Sequence, residues 1–428
     1  MRGAVLLAAL LLATSVHASC PIGGAPSEDE TTGKLVIYTY DSLFQYPEPY
    51  DFIGAFATFA GIDVNDVDLF CFNDAGTLLA EATSAVLNDS RRHPDVVIGL
   101  DNVLQLDSLE GLLIDYESPN QVQIHPWLME MLDIDGAVPL IPYDYCAITL
   151  VVDFRGLRSL GVPNHVLNVL NSTSFTLQDM VLYGPELLGH MVTQHPSTSG
   201  TGLAFLLWTI ATFGDPALNI VGAMGPGYDW RIFWKNVMKY ESEITPSWGE
   251  SFDLFVAGNY SIISSYLTDG AYDLYAHNDS SKKPILSHHN GSSYAWLNIE
   301  GLGITADAAA DPDRFALAKK FVDWFLDVDI QSKIPTYQWC YPANKNVALP
   351  DFYYEAGAVV PNLTYTNTFL TNEQIRAHLD DWIEIAHTIV DEDVIPPTPT
   401  PTGAAGGIQA TVIAGAIAAI AGIVAARA

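Results

Sequence analysis

Residues 34–40 read KLVIYTY, a run of β-branched and aromatic side chains that predicts a strand. Residues 68–72 (DLFCF) and 95–100 (DVVIGL) predict two further strands, and the last of these is apolar on both faces. Helical patterns lie between the strands, over residues 50–60 and 78–87. Alternation of strand and helix at this spacing predicts a parallel α/β sheet.

Carboxylates lie at the ends of these three strands, at Asp41, Asp74 and Asp101. In open parallel sheets, ligands bind beyond the carboxyl ends of the strands. Three carboxylates at three strand ends therefore predict a binding site. The alternative is that an Asp caps the helix that follows it, which is a common role for this residue.

Residues 195–208 read HPSTSGTGLAFLLW, in which small hydroxyl-bearing residues precede an apolar helix. The first N–H groups of a helix have no partner within the helix and carry partial positive charge. The stretch therefore fits either an ordinary helix cap or an anion-binding loop. Thr198, Ser199 and Gly200 are the candidate anion contacts.

Several aromatic residues lie just beyond predicted strands rather than inside them. In that position they suit a cage that stacks on a flat or cationic ligand, although each one alone could equally pack in a core. Neighbouring carboxylates would favour a positively charged ligand. The candidate cage residues are Tyr40, Tyr46, Trp248, Tyr266, Tyr272 and Trp339.

The sequence lacks the common signatures of catalysis, metal binding and nucleotide binding. It contains no G-x-S-x-G, H-E-x-x-H, Walker or Rossmann motif, and its 11 His residues are scattered. His195 and Ser197 are close in sequence, but no third orienting group accompanies them. We therefore predict a binding protein that is not an enzyme, with no metal and no cofactor.

The charge and length of the chain narrow the choice of partners and folds. The sequence has 18 Lys and Arg against 50 Asp and Glu, a net charge of −32 at pH 7. Binding of nucleic acid requires cations for phosphate contacts, so we expect no nucleic-acid partner; a salty habitat would also explain the acidity. Residues 30–392 are long for one core and predict two lobes.

The two ends of the chain predict export and attachment to a membrane. Residues 1–18 combine Arg2, an apolar run and small residues before Ser19, as in a secretory signal peptide. Residues 394–407 form a Pro/Thr/Gly stalk, and the apolar residues 408–426 are about long enough to cross a bilayer. We predict a C-terminally anchored protein on the extracytoplasmic face, in the periplasm or at the cell surface, with a transmembrane helix or a glycolipid as its anchor.

Four cysteines remain after removal of the signal, namely Cys20, Cys71, Cys146 and Cys340. Four cysteines allow three pairings, and in a secreted chain they are expected to be oxidised. Six N-glycosylation sequons fit a surface glycoprotein. They are at Asn88, Asn171, Asn259, Asn278, Asn290 and Asn362.

Several motifs, in the same order along the chain, resemble the thiamine-binding proteins that serve bacterial and archaeal ABC importers. That family opens with Y-T-Y-D-S, crosses between lobes with P-F-D-Y and carries an I-P-T-x-x-W-x-Y-P loop. The matches extend from residue 34 to about residue 390. The counterparts here are residues 38–42 (YTYDS), 99–102 (GLDN), 142–145 (PYDY), 247–250 (SWGE), 265–272 (SYLTDGAY) and 334–342 (IPTYQWCYP).

The resemblance implies an α/β, two-lobed periplasmic-binding-protein fold (type II), with two α/β lobes joined by a hinge. Lobe 1 would comprise residues 34–142 with 299–390, and lobe 2 residues 143–298. The protein would be a monomer that captures thiamine or its phosphates between the lobes for an ABC transporter permease. Rival ligands are a pyrimidine precursor and ferric ion, and a rival class is a surface receptor that reuses the fold.

The resemblance also implies roles for individual residues. Asp74 would meet the aminopyrimidine of thiamine, and Ser199 and its neighbours would hold a phosphate. Ser197 stands where the family has Arg, which removes a cationic donor, so we expect thiamine to bind no worse than its diphosphate. Tyr46 would substitute for the family's Trp-Gly-Pro segment. The cage positions carried over are Tyr40, Tyr266, Tyr272, Trp248 and Trp339.

Two cysteines are departures from the family pattern. Cys146 replaces a Gly of the crossing segment, and Cys340 follows the cage Trp. The resemblance places both near the hinge. We therefore predict a Cys146–Cys340 disulfide and, by remainder, a Cys20–Cys71 disulfide.

Overall fold

The computed structural model describes residues 34–87, 92–109, 111–134 and 136–392. The predicted signal peptide (1–18), stalk (394–407) and membrane anchor (408–426) lie outside these residues, as do Cys20 and the sequon at Asn88. Within the described ranges, no helix combines the length and the apolar character that crossing a membrane requires.

The strands are short except for two of 13 residues. They are β1 (Leu35–Tyr40), β2 (Val67–Phe72), β3 (Val96–Asp101), β4 (Ile141–Asp153), β5 (Met191–Gln194), β6 (Glu243–Thr245), β7 (Ile262–Tyr266), β8 (Lys282–Ile285), β9 (Ser287–His289), β10 (Ser292–Ile304), β11 (Tyr341–Pro342) and β12 (Leu363–Tyr365).

Helices connect these strands and cover the sheet. They are α1 (Phe52–Ala60), α2 (Ala75–Val86), α3 (Gln105–Ser108), α4 (Pro126–Leu132), α5 (Phe154–Ser159), α6 (Asn164–Leu170), α7 (Leu177–Leu182), α8 (Gly184–Leu187), α9 (Gly200–Phe213), α10 (Trp230–Lys239), α11 (Trp248–Val256), α12 (Asp269–His277), α13 (Ala306–Ala310), α14 (Pro312–Phe325), α15 (Val328–Gln331), α16 (Asp351–Glu355) and α17 (Asn372–Glu392).

One sheet runs through both lobes in the order β2-β1-β3-β10-β4-β7-β5-β6. At one end, β1 pairs in parallel with β2 and β3; we call this end lobe 1. At the other end, β5 pairs in parallel with β6 and β7; we call this end lobe 2. The predicted parallel α/β arrangement is confirmed at both ends.

The middle of the sheet consists of the two long strands, β4 and β10, which run antiparallel. Residues 141–148 of β4 pair with β10, and residues 148–152 pair with β7 of lobe 2. The last residues of β10 pair with β3 of lobe 1. Each strand therefore passes from one lobe into the other, which is the arrangement of a hinge. The lobe boundaries at residues 142 and 298 stay a prediction.

Helix α9 forms the centre of lobe 2, and all 14 of its residues are buried. Phe205 packs edge-on against Phe233 and Trp234, with ring centroids 5.8 and 5.7 Å apart. A helix that is apolar on every side must be surrounded by core. Its first residue, Gly200, lies at the cleft between the lobes, so the rigid helix fixes the position of that wall.

The C-terminal helix α17 crosses back to lobe 2. Sequence order assigns it to lobe 1, but Leu379, Trp382 and Ala386 pack in the core around α9. Trp382 Nε1 donates to Asp215 Oδ2 at 3.0 Å. These apolar residues recur every three or four positions, which gives the helix one buried face; that period does not say which lobe the face covers.

The predicted Cys146–Cys340 disulfide is wrong, because both residues are buried free cysteines. The Cys146 thiol instead lies 3.2 Å from Thr268 Oγ1. Burial, and then the hydrogen bond from Cys146, raise the pKa of the Cys340 thiol. A thiol that stays protonated is poorly reactive. Cys71 is disulfide-bonded, and Cys20, its predicted partner, lies outside the described residues, so that pairing stays a prediction.

Candidate ligand-binding site

A cavity lies between the lobes at the carboxyl ends of β1, β3 and β7. It contains about 840 Å³ of space free of protein atoms, part of it open to solvent. Its lining residues are Tyr40, Asp41, Ser42, Tyr46, Asn73, Asp74, Ala75, Gly99, Asp101, Gly200, Thr201, Trp248, Gly249, Phe252, Tyr266, Asp269, Tyr272, Asn298, Glu300, Tyr337, Gln338, Trp339 and Cys340.

The structure brings together all but two of the residues that the sequence assigned to a site. Thr198 and Ser199 are the two that do not line the cavity. Whether the others contact a ligand stays a prediction. Those that line the cavity are Tyr40, Asp41, Tyr46, Asp74, Asp101, Gly200, Trp248, Tyr266, Tyr272 and Trp339.

The hydroxyl groups before α9 bond to the protein itself. Thr198 Oγ1 donates to the carbonyl oxygen of Pro246 at 2.6 Å. Ser197 Oγ lies 2.7 Å from His195 Nδ1. Ser199 is the N-cap of α9, where its Oγ accepts from the Gly202 N–H at 3.3 Å. The helix cap, which was one of the two alternatives that the sequence left open, is therefore present; anion binding by this loop stays a prediction.

Asp74 joins the two lobes across the cleft. Its Oδ1 accepts hydrogen bonds from the N–H groups of Ala75 and Gly200, each at 2.7 Å. Its Oδ2 accepts from the Trp248 N–H at 3.4 Å. Burial raises the pKa of Asp74, and these hydrogen bonds act in the opposite direction. One carboxylate of lobe 1 thus contacts the first residues of both α9 and α11 of lobe 2.

Aromatic rings form one wall of the cavity. The Tyr46 ring stands edge-on to Trp248 and Tyr272, at centroid distances of 6.0 and 6.2 Å. Trp339 packs edge-on against Tyr272 at 5.1 Å, and its Nε1 donates to the Tyr46 carbonyl oxygen at 3.0 Å. Phe252 stacks on Trp248 at 4.7 Å. Tyr46, Trp248, Tyr272 and Trp339 are called the aromatic wall below.

Tyr40 closes the floor of the cavity. Its hydroxyl donates to Glu300 Oε2 at 2.5 Å, and the Tyr143 hydroxyl donates to the same oxygen at 2.6 Å. Gly99 passes directly beneath the ring, since a Cβ there would lie 2.1 Å from Tyr40 Cε1. With a φ of +100° as well, this position suits only glycine.

The cavity is strongly acidic. Its lining includes the carboxyl groups of Asp41, Asp74, Asp101, Asp269 and Glu300, and no Lys, Arg or His is among the described residues that line it. Burial raises the pKa of Asp41 and Asp101 to about 6 and that of Asp269 to about 7. Grouped carboxyls of this kind disfavour anions and favour a cation.

Some lining residues were missed at the level of sequence. Phe252 lies four residues after Trp248, a spacing that places two side chains on one face of a helix, so the helical period could have identified it. The only indication of Glu300 in the sequence is that it is a charged residue inside an otherwise apolar strand. Asp269, Asn298 and Gln338 gave no local signal that separates them from ordinary polar residues.

The described ranges contain no group of three or more His, Cys, Asp or Glu residues arranged to hold a metal ion. Two of the four aromatic-wall residues are Trp, whose indole cannot act as a metal ligand.

Comparison with known proteins supports the sequence resemblance. No family model matches the chain. The chain is 28% identical over 325 residues to the thiamine-binding periplasmic protein of Brucella melitensis, covering 76% of this chain and 83% of that protein. It is 26% identical over 354 residues to the protein of the same name from Escherichia coli, covering 81% and 92%. The predicted resemblance is confirmed.

Solved structures agree on the fold. A periplasmic thiamin binding protein has a TM-score of 0.60 with 24% identity, covering 83% of this chain and 96% of that one. A ferric binding protein from Campylobacter jejuni has a TM-score of 0.58 with 16% identity, covering 84% and 99%. These likenesses confirm the two-lobed periplasmic-binding-protein fold.

Proposed function

We propose that this chain is an extracytoplasmic solute-binding protein that captures thiamine in its interlobe cleft and delivers it to an ABC importer. The observation that carries the proposal is the cavity itself, in which aromatic rings and acidic groups occur without any basic side chain among the described lining residues. Thiamine carries a permanent positive charge on one of two linked aromatic rings. The names of the relatives point to the same ligand.

The contacts of the cavity suit such a ligand on physical grounds. A cation over the face of Trp or Tyr is attracted by the ring, and the attraction grows when water is excluded. Edge-on packing holds Tyr46, Tyr272 and Trp339 in place without a ligand. Asp41, Asp101 and Asp269 line the same cavity and supply negative charge. We therefore assign stacking to the aromatic wall and charge compensation to these carboxyls.

Ferric ion is the second candidate, because one of the structural neighbours is a ferric binding protein. Iron favours clustered hard oxygen ligands, Tyr oxygens among them. The described residues contain no metal-binding group of three or more His, Cys, Asp or Glu, and the two Trp of the aromatic wall cannot ligate. A free pyrimidine precursor is the remaining rival within the class. It would use part of the cavity and lack the permanent charge.

We further propose that the protein is a monomeric binding protein rather than an enzyme, and that it needs no cofactor. Its cleft holds no grouping of nucleophile, base and orienting residue, in so far as the described residues line it. The relatives are periplasmic proteins by name, which supports an extracytoplasmic location and a transporter partner.

Export and tethering rest on the sequence alone. We propose a signal peptide over residues 1–18, a stalk over 394–407 and a C-terminal anchor over 408–426. N-glycosylation is compatible with the fold, because the sequon residues Asn171, Asn259, Asn278, Asn290 and Asn362 are all exposed. Phase partitioning of the full chain, before and after removal of residues 394–428, would test the anchor.

Calorimetric titration tests the function directly. The purified mature protein is titrated with thiamine, its monophosphate, its diphosphate and the free pyrimidine, and Fe³⁺ is tested separately. We expect saturable heat with thiamine and a markedly weaker signal with the pyrimidine. Absence of heat with thiamine, or tight binding of Fe³⁺ in its place, would overturn the proposal.

A further inference from the structure

Asp74 occupies the position in which the start of α9 would otherwise receive an anion. The Gly200 N–H, the first of a 14-residue helix, is directed at Asp74 Oδ1 at 2.7 Å. The Trp248 N–H, the first of the nine-residue α11, approaches Asp74 Oδ2 at 3.4 Å. Helix starts attract negative charge, and here two of them converge on one carboxylate whose residue is only 9% exposed.

Three hydroxyl donors around this point are also engaged. Thr198 donates to a carbonyl, and the Ser199 hydroxyl caps α9. Thr201 Oγ1 lies 3.1 Å from the Tyr266 hydroxyl, which pairs those two groups. A phosphate entering the cleft would therefore find these three hydroxyls, and the N–H groups of Gly200 and Trp248, already bonded within the protein.

The approach of the lobes at this point is close. A Cβ on Gly200 would lie 3.1 Å from Asp101 Oδ2 and 3.5 Å from Asp74 Oδ1. The start of α9 therefore lies against two carboxyls of lobe 1. A phosphate placed between them would lose its water without gaining a cationic partner, which is strongly unfavourable.

We infer that Asp74 serves as the resident anion of the α9 and α11 starts and thereby makes the cleft select a cationic, unphosphorylated ligand. This inference rests on the proposed function and specifies its ligand class. The Asp74 carboxylate belongs to lobe 1, whereas the starts of α9 and α11 belong to lobe 2. The same contact that occupies the anion position therefore also holds the cleft closed.

Competition between ligands tests the inference. Affinities for thiamine, thiamine monophosphate and thiamine diphosphate are measured by calorimetry for the wild-type protein, for Asp74→Ser and for Asp74→Asn. Ser retains the ability to cap α2 but is shorter and neutral, so it vacates the position. Asn keeps the shape and removes only the charge. Asp381→Asn, an exposed position on α17, is the control with the same change in charge.

We expect the wild-type protein to bind thiamine about tenfold or more tightly than either phosphate ester, the range of one charged hydrogen bond. Asp74→Ser should reduce that ratio to about threefold or less, Asp74→Asn should reduce it partly, and Asp381→Asn should leave it unchanged. Inorganic phosphate should compete with thiamine in Asp74→Ser and not in the wild-type protein.

Three outcomes would count against the inference, and they separate it from the proposed function. Equal affinity of the wild-type protein for thiamine and its esters overturns the selectivity but leaves thiamine binding intact. An unchanged ratio in Asp74→Ser, or in Asp74→Asn if the Ser variant does not fold by circular dichroism, overturns the role of Asp74. Failure of the wild-type protein to bind thiamine overturns the proposed function itself.

Discussion

The aromatic wall and the start of α9 border the same cavity, yet they use their side chains in opposite ways. Rings of the wall pack edge to face against one another, and all four of them line the cavity. The hydroxyls before α9 instead bond to Pro246, to His195 and to the Gly202 N–H, and the Ser199 hydroxyl also bonds Asp74 across the cleft. Residue type alone suggested two ligand contacts, whereas the hydrogen-bond partners distinguish a binding surface from a structural cap.

Removal of one ring of the aromatic wall should reduce the affinity for thiamine more than any of the changes that follow. Trp248→Ala deletes a face of the cavity, the stacking on Phe252 and the Nε1 bond to Ser265 at 2.9 Å. We expect thiamine affinity to fall by about a hundredfold, as for a buried aromatic anchor, measured by calorimetry. Tyr354→Ala, which removes a ring that is 59% exposed outside the cavity, is the control. Equal affinity of Trp248→Ala and wild type would refute the assignment of the wall.

Acidification should weaken binding to an intermediate degree. Burial raises the pKa of Asp41 and Asp101 to about 6 and that of Asp269 to about 7. A bound cation favours the ionised carboxyl, so binding must release protons at pH 6 and need not at pH 8. We expect affinity to fall about three- to tenfold from pH 8 to pH 6, with proton release detected by calorimetry in buffers of different ionisation enthalpy.

Asp269→Asn provides the matched test of that dependence. Asp273 and Lys282 are the charged groups that act on Asp269, and both remain in the variant. The slope of affinity against pH should flatten between pH 7 and pH 8. In this window Asp269 contributes more to the slope than Asp41 or Asp101, because its pKa is higher. A slope as steep as that of the wild type would show that other groups carry the effect.

Removal of a hydroxyl side chain in the loop before α9 should change the affinity for thiamine least. Thr198→Ala removes the bond to the Pro246 carbonyl, so we expect a loss of about 1 kcal/mol in the free energy of unfolding. Affinity for thiamine should change less than about twofold, because Thr198 does not line the cavity. Thr58→Ala, which removes a hydroxyl bonded to the Gly54 carbonyl on α1, is the control for the substitution. A large loss of affinity in Thr198→Ala but not in Thr58→Ala would show that the loop before α9 takes part in ligand binding.

Much of the fold could be predicted from sequence because it rests on periodic patterns. The runs at residues 34–40 and 95–100 are strongly β-forming, and their parallel pairing follows from the helices between them. Asp41, Asp74 and Asp101 were placed correctly at one edge because strand ends in such a sheet share that edge. The collinear motifs then indicated the lobes.

The features that could not be predicted depend on the direction in which a side chain points and on partners that are distant in sequence. Side chains at Thr198 and Ser199 are of the right type for an anion site, but their hydroxyls turn toward groups that only the folded chain supplies. Glu300 reaches the site because β10 returns through the hinge beside β4. The helical period of α17 identifies an apolar face but not the surface against which that face packs. The packing of α17 on lobe 2 could therefore not be predicted.

That attachment has a mechanical consequence. The described chain begins in lobe 1 with β1 and ends on lobe 2 with α17, after crossing the hinge at β4, at β10 and again before α17. A pulling force applied between residues 34 and 392 would therefore load the interface between the lobes, including the contacts of Asp74. Under tension the cleft should open as a first, ligand-dependent extension step before either lobe unravels.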